Sequence, residues 1–296
     1  MRTKVLYASY VKGNSIPYYV RYALEALSFE DVSVVYLTNE RELDEESIAF
    51  LKAKKIELFL TENKGFDFGM WNRYLKSISL EEKKSWDRLC LINDSVIYYK
   101  NQFGFFFSKA ENLSADMVSL TCSEELSFHL QSFFLYLKPS AMTVLYAHLE
   151  EASESDSFYE VVRNMEIGLS SRMLKCGLKL ESLFKTSRNV LFSYDELIKE
   201  KAGFIKRKLL ERRFTPKEKF HFLRHGGFSA LYANYYEMIK KSGDADSSFP
   251  IDSIVVHKKT LQNQMKDFFL CLFFYALINP TEKIKKILKK NKLRKS

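Results

Sequence analysis

The chain contains few of the residues that mark loop-dominated or cross-linked proteins. Its 296 residues include 10 glycines, 5 prolines and 4 cysteines. So few glycines and prolines argue against a fibrous repeat or a fold made mostly of loops. No two cysteines form a CxxC pair, which argues against a zinc site and a disulfide framework. We expect reduced thiols, buried at Cys90 and Cys122 because these two lie within apolar runs.

Long apolar segments are also missing. The N-terminal stretch MRTKVLYASYVKGNS alternates in polarity and lacks the continuous apolar core and cleavage site of a signal peptide. The apolar run from Phe268 to Ile278 has eleven residues, whereas a membrane-spanning helix needs about 20. We therefore expect a cytoplasmic protein without a transmembrane helix.

Positive charge is concentrated at the C-terminus. Residues 281–296 carry +7 of the formal net charge of +9, which leaves +2 for the preceding 280 residues. A nucleic-acid-binding domain needs a basic face on its folded part, so we expect no nucleic-acid partner. An apolar run followed by a basic amphipathic helix suits the inner leaflet of the cytoplasmic membrane. The alternative is a core-packing helix followed by a solvated tail.

Strand-like and helix-like segments alternate along the first part of the chain. This spacing predicts βαβ units and a mostly parallel sheet with helices on both faces. Ligands of such sheets bind beyond the carboxyl ends of the strands, so the polar residues that follow each strand are candidate site residues. The predicted strands cover residues 3–11, 31–38, 55–61, 88–94 and 115–121, and the predicted helices cover 16–27, 43–54, 139–150 and 157–175.

The segment ENKGFDFGMWNRYL, residues 62–75, places a polar turn with glycine between a strand and an aromatic-rich helix. Gly65 and Gly69 permit close backbone approach to a ligand, and Asp67 can accept hydrogen bonds from a ribose or a base edge. The alternative is a capped strand-to-helix turn in which Asp67 is the N-cap and the aromatic side chains belong to the core.

A second candidate site follows the strand at 88–94, where Asn93, Asp94 and Ser95 end an apolar run. A carboxylate at a strand end can hold Mg²⁺ or Mn²⁺ against phosphate oxygens. Only one carboxylate is present, and an Asp-Ser turn after a strand is also ordinary.

Three further polar residues are weaker candidates. His129 and Gln131 are two residues apart, on the same side of an extended segment. Glu166 lies in the helical pattern NMEIGLSSRML. Residues of these types are more often structural, solvated or paired, and spacing alone assigns them no function.

Taken in order, these segments resemble the rhamnan synthesis protein F family of glycosyltransferases. The resemblance covers roughly residues 3 to 210. It implies a GT-A-like, Rossmann-type α/β catalytic domain over residues 1–210. Beyond that domain, the residues themselves predict a helical acceptor-side extension over 211–266 and an apolar and basic membrane-association segment over 267–296. The blocks that carry it are VLYASYVKGNSIPYYVRYAL, VVYLTN, NKGFDFGMWNRYL, LINDS, HLQSFFLYLK, EIGLSSRMLKCG and GFIKRK.

The resemblance also implies an activity. A nucleotide-activated sugar such as dTDP-L-rhamnose would donate its sugar to a lipid-linked glycan that grows into a bacterial O-antigen, capsule or rhamnan. The enzyme would be peripheral on the inner face of the cytoplasmic membrane. The alternative is a non-catalytic scaffold that binds nucleotide sugars in a polysaccharide assembly complex, because the LINDS block has a single acid.

Site residues follow from the same resemblance. Transfer from a β-L-donor to an α-L-linkage inverts the anomeric centre and needs a general base, for which Glu166 and then Asp67 are the candidates. His129 and Gln131 would line the sugar or acceptor side. Asp94 would hold Mg²⁺ or Mn²⁺ at the donor's diphosphate. The other donor-binding residues implied are Asn63, Gly65, Asp67, Gly69, Asn93, Ser95 and Lys206.

Overall fold

The computed structural model describes residues 1–10, 13–39, 42–211, 214–215, 218–222 and 233–251. Residues 1–207 and 236–251 form one compact unit, and the described residues from 208 to 235 belong to a second. The predicted membrane-association segment 267–296 lies outside the described residues, as does part of the predicted extension 211–266. Cys271 also lies outside them.

Eleven strands occur in the described residues, and they are short except for three in the first unit. They are β1 (Thr3–Ser9), β2 (Val32–Thr38), β3 (Glu57–Leu60), β4 (Arg88–Asn93), β5 (Val96–Tyr98), β6 (Met117–Ser119), β7 (Cys122–Ser123), β8 (His129–Leu130), β9 (Phe134–Leu137), β10 (Leu180–Ser182) and β11 (Phe204–Lys206).

Helices connect the strands, and one helical stretch contains a π-helical turn, Val162–Ile167, between the α-helices Phe158–Val161 and Gly168–Lys175. The predicted helix over 157–175 is therefore divided into three parts. The α-helices are α1 (Tyr18–Ala26), α2 (Glu45–Ala53), α3 (Phe66–Ser77), α4 (Leu80–Lys84), α5 (Phe103–Asn112), α6 (Pro139–Glu151), α7 (Phe158–Val161), α8 (Gly168–Lys175), α9 (Tyr194–Lys199), α10 (Arg207–Glu211) and α11 (Tyr235–Ser242).

Seven strands form the central sheet, in the order β10-β6-β9-β4-β1-β2-β3. All neighbours pair in parallel except β9, which runs antiparallel between β4 and β6. The prediction of an α/β fold with a mostly parallel sheet is confirmed. Outside this sheet, β5 pairs antiparallel with β11 and β7 with β8.

Strand β1, in the interior of the sheet, shows why the predicted strands contain runs of consecutive apolar residues. Val5 and Tyr7 pack on one face of the sheet among side chains of α1, α2 and α5. Leu6 and Ala8 pack on the other face among side chains of α3, α6 and α8. A strand that is covered on both faces needs apolar side chains at every position, because successive side chains point to opposite faces.

The order of the strands defines where the connections from neighbouring parallel strands leave in opposite directions. From β1 the chain proceeds to β2 and β3 on one side, whereas β4 pairs with β1 on the other side. Adjacent parallel strands whose connections leave in opposite directions open a crevice beyond their carboxyl ends. The β1–β4 boundary, with Ser9 and Asn93 as the last strand residues, is therefore the topological switch point.

Burial of the cysteines follows the sheet. Cys90 in β4 is fully buried, as predicted, but Cys122 is only partly buried and Cys176 is exposed. The prediction for Cys122 was wrong because β7 belongs to the two-stranded β7–β8 pair rather than to the central sheet. In the part of the chain that the structure describes, no helix is long and apolar enough to cross a membrane.

Candidate functional site

At the switch point, the turn after β4 is joined to the end of β1. The backbone N–H of Asp94 donates to the carbonyl of Ala8 at 3.2 Å. The Ser9 hydroxyl donates to Asp94 Oδ2 at 3.1 Å. These bonds fix the one carboxylate of the LINDS block at the mouth of the crevice, and Asp94 is buried there.

Two basic residues come to the same turn from a distant part of the sequence. The β5–β11 pair aligns Lys206 with Val96, and the Arg207 N–H donates to the Ser95 carbonyl at 3.0 Å. The Arg207 guanidinium forms an ion pair with Asp94 Oδ2, and its side chain is 23% exposed against 11% for Asp94. The same guanidinium nitrogen lies 2.8 Å from the Tyr19 hydroxyl.

Lys206 has a different environment from Arg207. Its Nζ donates to Ser95 Oγ at 3.1 Å. The ammonium also lies 4.4 Å from the centre of the Phe133 ring, a distance at which a cation is attracted to the ring face. Lys206 therefore contacts the LINDS block, and its predicted role at the donor's diphosphate stays a prediction.

A hydrogen bond links this turn to the start of α3. The Asn93 side-chain amide donates to Asp67 Oδ2, while Asn93 Oδ1 accepts from the Ser95 N–H at 3.0 Å. Asp67 Oδ1 accepts from the Phe68 N–H at 3.1 Å. Burial, and then the nearby charge of Glu166, raise the pKa of Asp67 from its ordinary 3.8 to about 6.

Glu166, the other candidate base, lies in the π-helical turn. Its Oε1 accepts from the Ser132 N–H at 2.6 Å, which fixes the carboxylate beside the segment that enters β9. Isolated π-helical turns occur frequently at functional sites. The residue after Ser132 is Phe133, whose carbonyl accepts from the Asn93 N–H at 3.3 Å, and the Asn93 side chain bonds Asp67. Short contacts therefore connect the two candidate bases.

The backbone conformation and packing of the NKGFDFG block require glycine at positions 65 and 69. Gly65, rather than Asp67, is the N-cap of α3, and its φ of 71° is left-handed. A Cβ on Gly69 would lie 2.0 Å from the Lys64 carbonyl oxygen. Arg73 holds the same turn, with Nε donating to Thr61 Oγ1 at 2.6 Å and Nη2 to the Lys64 carbonyl at 2.9 Å. Asn63, half-buried, lies within the turn that these contacts shape.

His129 and Gln131 form hydrogen bonds near the β7–β8 pair. His129 Nδ1 lies 2.9 Å from the Ser127 carbonyl oxygen. Gln131 Oε1 accepts from Thr121 Oγ1 at 2.7 Å, and its backbone carbonyl accepts from Ser119 Oγ at 2.9 Å. These bonds explain the burial of both residues structurally and do not join them to Asp67 or Asp94.

Among the described residues, the metal-ligating side chains near Asp94 are too few to hold a divalent cation without ligands from a bound molecule. Within the described ranges no three His, Cys, Asp or Glu side chains form a group that could hold a metal ion. Asp94 is the one carboxylate at the end of β4, and its Oδ2 already accepts from Ser9 and pairs with Arg207.

Several residues of the site were not predicted from the sequence. Arg207 directly follows Lys206 in the GFIKRK block, yet only the β5–β11 pairing brings it to Asp94. Ser132 contributes a backbone N–H, which no side-chain pattern reveals. Arg73 was visible as a basic residue in the aromatic helix, but the carbonyls it meets are defined by the turn.

Three solved structures are distantly similar to this chain. A cytidylyltransferase from Leptospira borgpetersenii is 13% identical with a TM-score of 0.43, covering 88% of this chain and 99% of that one. A Pyrobaculum calidifontis mannosyltransferase in complex with GDP-Man and Mn²⁺ is 9% identical with a TM-score of 0.42, covering 93% and 80%. S. aureus TarS in complex with UDP-GlcNAc is 12% identical with a TM-score of 0.42, covering 86% and 84%. At these values the likenesses carry no argument here.

The family comparison is decisive. Comparison with the curated proteins gives no significant match. The family model described as rhamnan synthesis protein F matches residues 34–291, which is most of the chain. This match supports a glycosyltransferase that acts in polysaccharide synthesis. The chain belongs to the rhamnan synthesis protein F family.

Proposed function

We propose that this protein transfers a sugar, L-rhamnose or another hexose or deoxyhexose, from a nucleoside diphosphate to a growing bacterial surface polysaccharide. The observation that carries the proposal is the convergence at the β1–β4 switch point. There, the ion-paired Asp94 carboxylate follows Asn93, whose side chain bonds the Asp67 carboxylate. The Asn93 N–H bonds the Phe133 carbonyl, and the preceding residue, Ser132, bonds the Glu166 carboxylate. Open parallel sheets bind nucleotides at this position.

The donor would lie across the end of β4. Asn63 and the turn from Gly65 to Gly69 would face its nucleoside, and the diphosphate would lie beside Asn93, Ser95 and Lys206. Two hydrogen bonds support this placement, because Asn93 bonds Asp67 at the start of α3 and Lys206 bonds Ser95 in the turn after β4. His129 and Gln131 stay proposed for the sugar or acceptor side, on the resemblance alone.

Glu166 is the proposed general base, with Asp67 second. In an inverting transfer, the acceptor hydroxyl loses its proton to the Glu166 carboxylate as its oxygen bonds to the anomeric carbon. The bond from that carbon to the phosphate oxygen breaks, and its electron pair leaves on the nucleoside diphosphate. The hydrogen bond from the Ser132 N–H orients the Glu166 carboxylate.

The acceptor, the membrane and the metal complete the proposal. A lipid-linked glycan at the inner leaflet is the proposed acceptor, and the basic segment 281–296 is proposed to bind that surface. The donor proposed first is dTDP-L-rhamnose. The resemblance implies Mg²⁺ or Mn²⁺ at the donor's diphosphate, and samples with Mg²⁺, Mn²⁺ or EDTA test whether the activity depends on either ion.

The experiment is a donor screen with the purified full-length chain. dTDP-L-rhamnose and the common UDP- and GDP-sugars are incubated with a lipid-linked glycan acceptor, and both released nucleoside diphosphate and extended acceptor are measured. Parallel samples contain Mg²⁺, Mn²⁺ or EDTA. The variants are Glu166→Gln and Asp67→Asn, and the matched control is Glu160→Gln, an exposed carboxylate on the preceding helix α7.

We expect one donor to be consumed and Glu166→Gln to reduce its rate by about 100-fold or more, the range for loss of a general base. Nucleotide binding should survive that change, and Glu160→Gln should behave as wild type. A Glu166→Gln enzyme with wild-type rate would remove Glu166 as the base. Nucleotide binding without turnover of any donor, with acceptor present, would instead favour the non-catalytic scaffold.

A further inference from the structure

We infer that Arg207 and Lys206 bind the donor's diphosphate and supply there the positive charge that a divalent metal ion would otherwise supply. In this inference Asp94 is a positioning residue for Arg207 rather than a metal ligand. The inference rests on the proposed function, because it assigns the charge-neutralising groups of the same donor site.

The placement of the two cations is a property of the fold. Antiparallel pairing of β5 with β11 sets Lys206 opposite Val96, and the Arg207 N–H bonds the Ser95 carbonyl at 3.0 Å. Two consecutive basic residues are thereby held against the turn that follows β4. That turn lies at the switch point, where the diphosphate of a bound nucleotide sugar would lie.

The local chemistry suits phosphate better than it suits a cation. Asp94 presents the one carboxylate of the turn, and a guanidinium already neutralises it. A metal ion bound at Asp94 would have to displace Arg207 or lie beside its positive charge, which Coulomb repulsion disfavours. A diphosphate placed there would meet a guanidinium fork and an ammonium, the two side-chain cations that bind phosphate oxygens.

The contacts that fix Arg207 and Lys206 favour a role in diphosphate binding, since ordinary surface lysines and arginines are solvated and mobile. The Arg207 side chain is 23% exposed and has both Asp94 and the Tyr19 hydroxyl as partners. The Lys206 ammonium is fixed by Ser95 Oγ and the Phe133 ring. Groups held in place before the reaction stabilise developing charge without reorganising, and this is the main source of electrostatic catalysis.

The step assisted by the cations is departure of the leaving group. When the bond between the anomeric carbon and the phosphate oxygen breaks, its electron pair increases the negative charge on the nucleoside diphosphate. Arg207 and Lys206 would stabilise that charge, while the acceptor oxygen bonds to the sugar and its proton passes to the base. No oxidant, reductant or further reactant is needed.

The test measures binding of UDP, dTDP and GDP to the full-length chain by titration calorimetry, in EDTA and in Mn²⁺. Manganese alone is titrated as a separate probe. The variants are Arg207→Gln, Arg207→Lys, Lys206→Gln and Asp94→Asn. Because Arg207→Gln leaves Asp94 buried without its ion pair, the double variant Asp94→Asn/Arg207→Gln is included as a charge-neutral replacement.

The matched control is Arg88→Gln. Arg88 pairs with Glu111 through Nε at 2.8 Å and is 16% exposed, so it resembles Arg207 in burial and pairing. It begins β4, whereas Asp94 follows the end of that strand, and the length of the strand separates the two by about 17 Å.

We expect one nucleoside diphosphate to bind equally well in EDTA and in Mn²⁺. Arg207→Gln and the double variant should each weaken binding by about 10- to 100-fold, as for a lost charged hydrogen bond. Arg207→Lys should fall between wild type and Arg207→Gln, and Arg88→Gln should leave binding unchanged.

Two results would overturn the inference in distinguishable ways. Binding that requires Mn²⁺, together with Mn²⁺ binding that is lost in Asp94→Asn, would restore the metal site and leave the proposed transferase standing. Failure of wild type to bind any of the three nucleotides, with no donor turnover, would remove both the inference and the proposed function.

Discussion

Replacing Asp67 by asparagine should make the protein more stable near neutral pH, because the folded chain holds this carboxylate in an unfavourable environment. Burial and the nearby Glu166 charge raise its pKa from 3.8 to about 6. A carboxyl group whose pKa rises on folding prefers its protonated form in the folded state. Its ionisation therefore costs stability as the pH rises from about 4 to about 6, and the cost is constant above that.

The magnitude follows from the two pKa values. A tenfold change in an equilibrium constant corresponds to about 1.4 kcal/mol, so ionised Asp67 costs about 3 kcal/mol at pH 7.5 and about 1 kcal/mol at pH 4.5. The asparagine oxygen can replace one of the two accepting oxygens of Asp67, which meet Asn93 and Phe68. The lost hydrogen bond costs about 1 kcal/mol at either pH. The net gain is then about 2 kcal/mol at pH 7.5 and close to zero at pH 4.5.

Urea unfolding at the two pH values measures this difference. Tryptophan fluorescence is a suitable signal, because Trp71 is fully buried on α3 and lies one turn from Asp67. The control is Asp116→Asn. Asp116 accepts from the Lys179 N–H at 2.8 Å, and hydrogen bonds from Ser140 and Lys179 lower its pKa below 3.8.

The control should behave in the opposite way. A lowered carboxyl pKa contributes stability that is present above about pH 4 and is lost only below it, so Asp116→Asn should destabilise at both pH values. The reasoning about Asp67 would be refuted by an Asp67→Asn variant that is less stable than wild type at pH 7.5. A difference from wild type that is equal at pH 7.5 and pH 4.5 would refute it as well.

Two further predictions concern the turn before α3. Gly69→Ala should lower the free energy of unfolding by about 3 kcal/mol or more, because its Cβ would lie 2.0 Å from the Lys64 carbonyl oxygen. Gly104→Ala, with nothing within 4 Å of its Cβ, should leave stability within about 1 kcal/mol of wild type in the same urea assay. Arg73→Gln should cost about 1–3 kcal/mol and weaken nucleoside diphosphate binding, since Arg73 holds the backbone of residues 61–64. Unchanged stability and binding in Arg73→Gln would show that the turn keeps its shape without it.

Much of the α/β architecture could be predicted from hydrophobic patterning. Segments 31–38 and 88–94 contain the apolar runs 34–37 and 89–92, each bounded by polar residues, and they became β2 and β4 almost residue for residue. The shorter strands were harder to predict. The β7–β8 pair has only two residues in each strand, too few for an alternating pattern to appear.

The candidate site was predicted unevenly. Asp67, Asn93 and Lys206 lie in compact polar blocks at strand ends, and the structure joins each of them to the LINDS turn or its neighbours. His129 and Gln131 have hydrogen bonds near their own strand pair that account for their burial. Residue type and spacing do not distinguish a polar residue that faces a crevice from one that satisfies a buried hairpin.

By itself, the sequence determined the family, the parallel α/β class and the strand ends at which polar residues cluster, because these depend on local order and periodicity. Only the tertiary structure decided that Arg207 pairs with Asp94, 113 residues away, and that Glu166 lies in a π-helical turn close enough to raise the pKa of Asp67. Such contacts depend on the pairing of distant strands and on how helices pack against the sheet. Electrostatic interactions weaken with distance through space, and separation along the sequence does not give that distance.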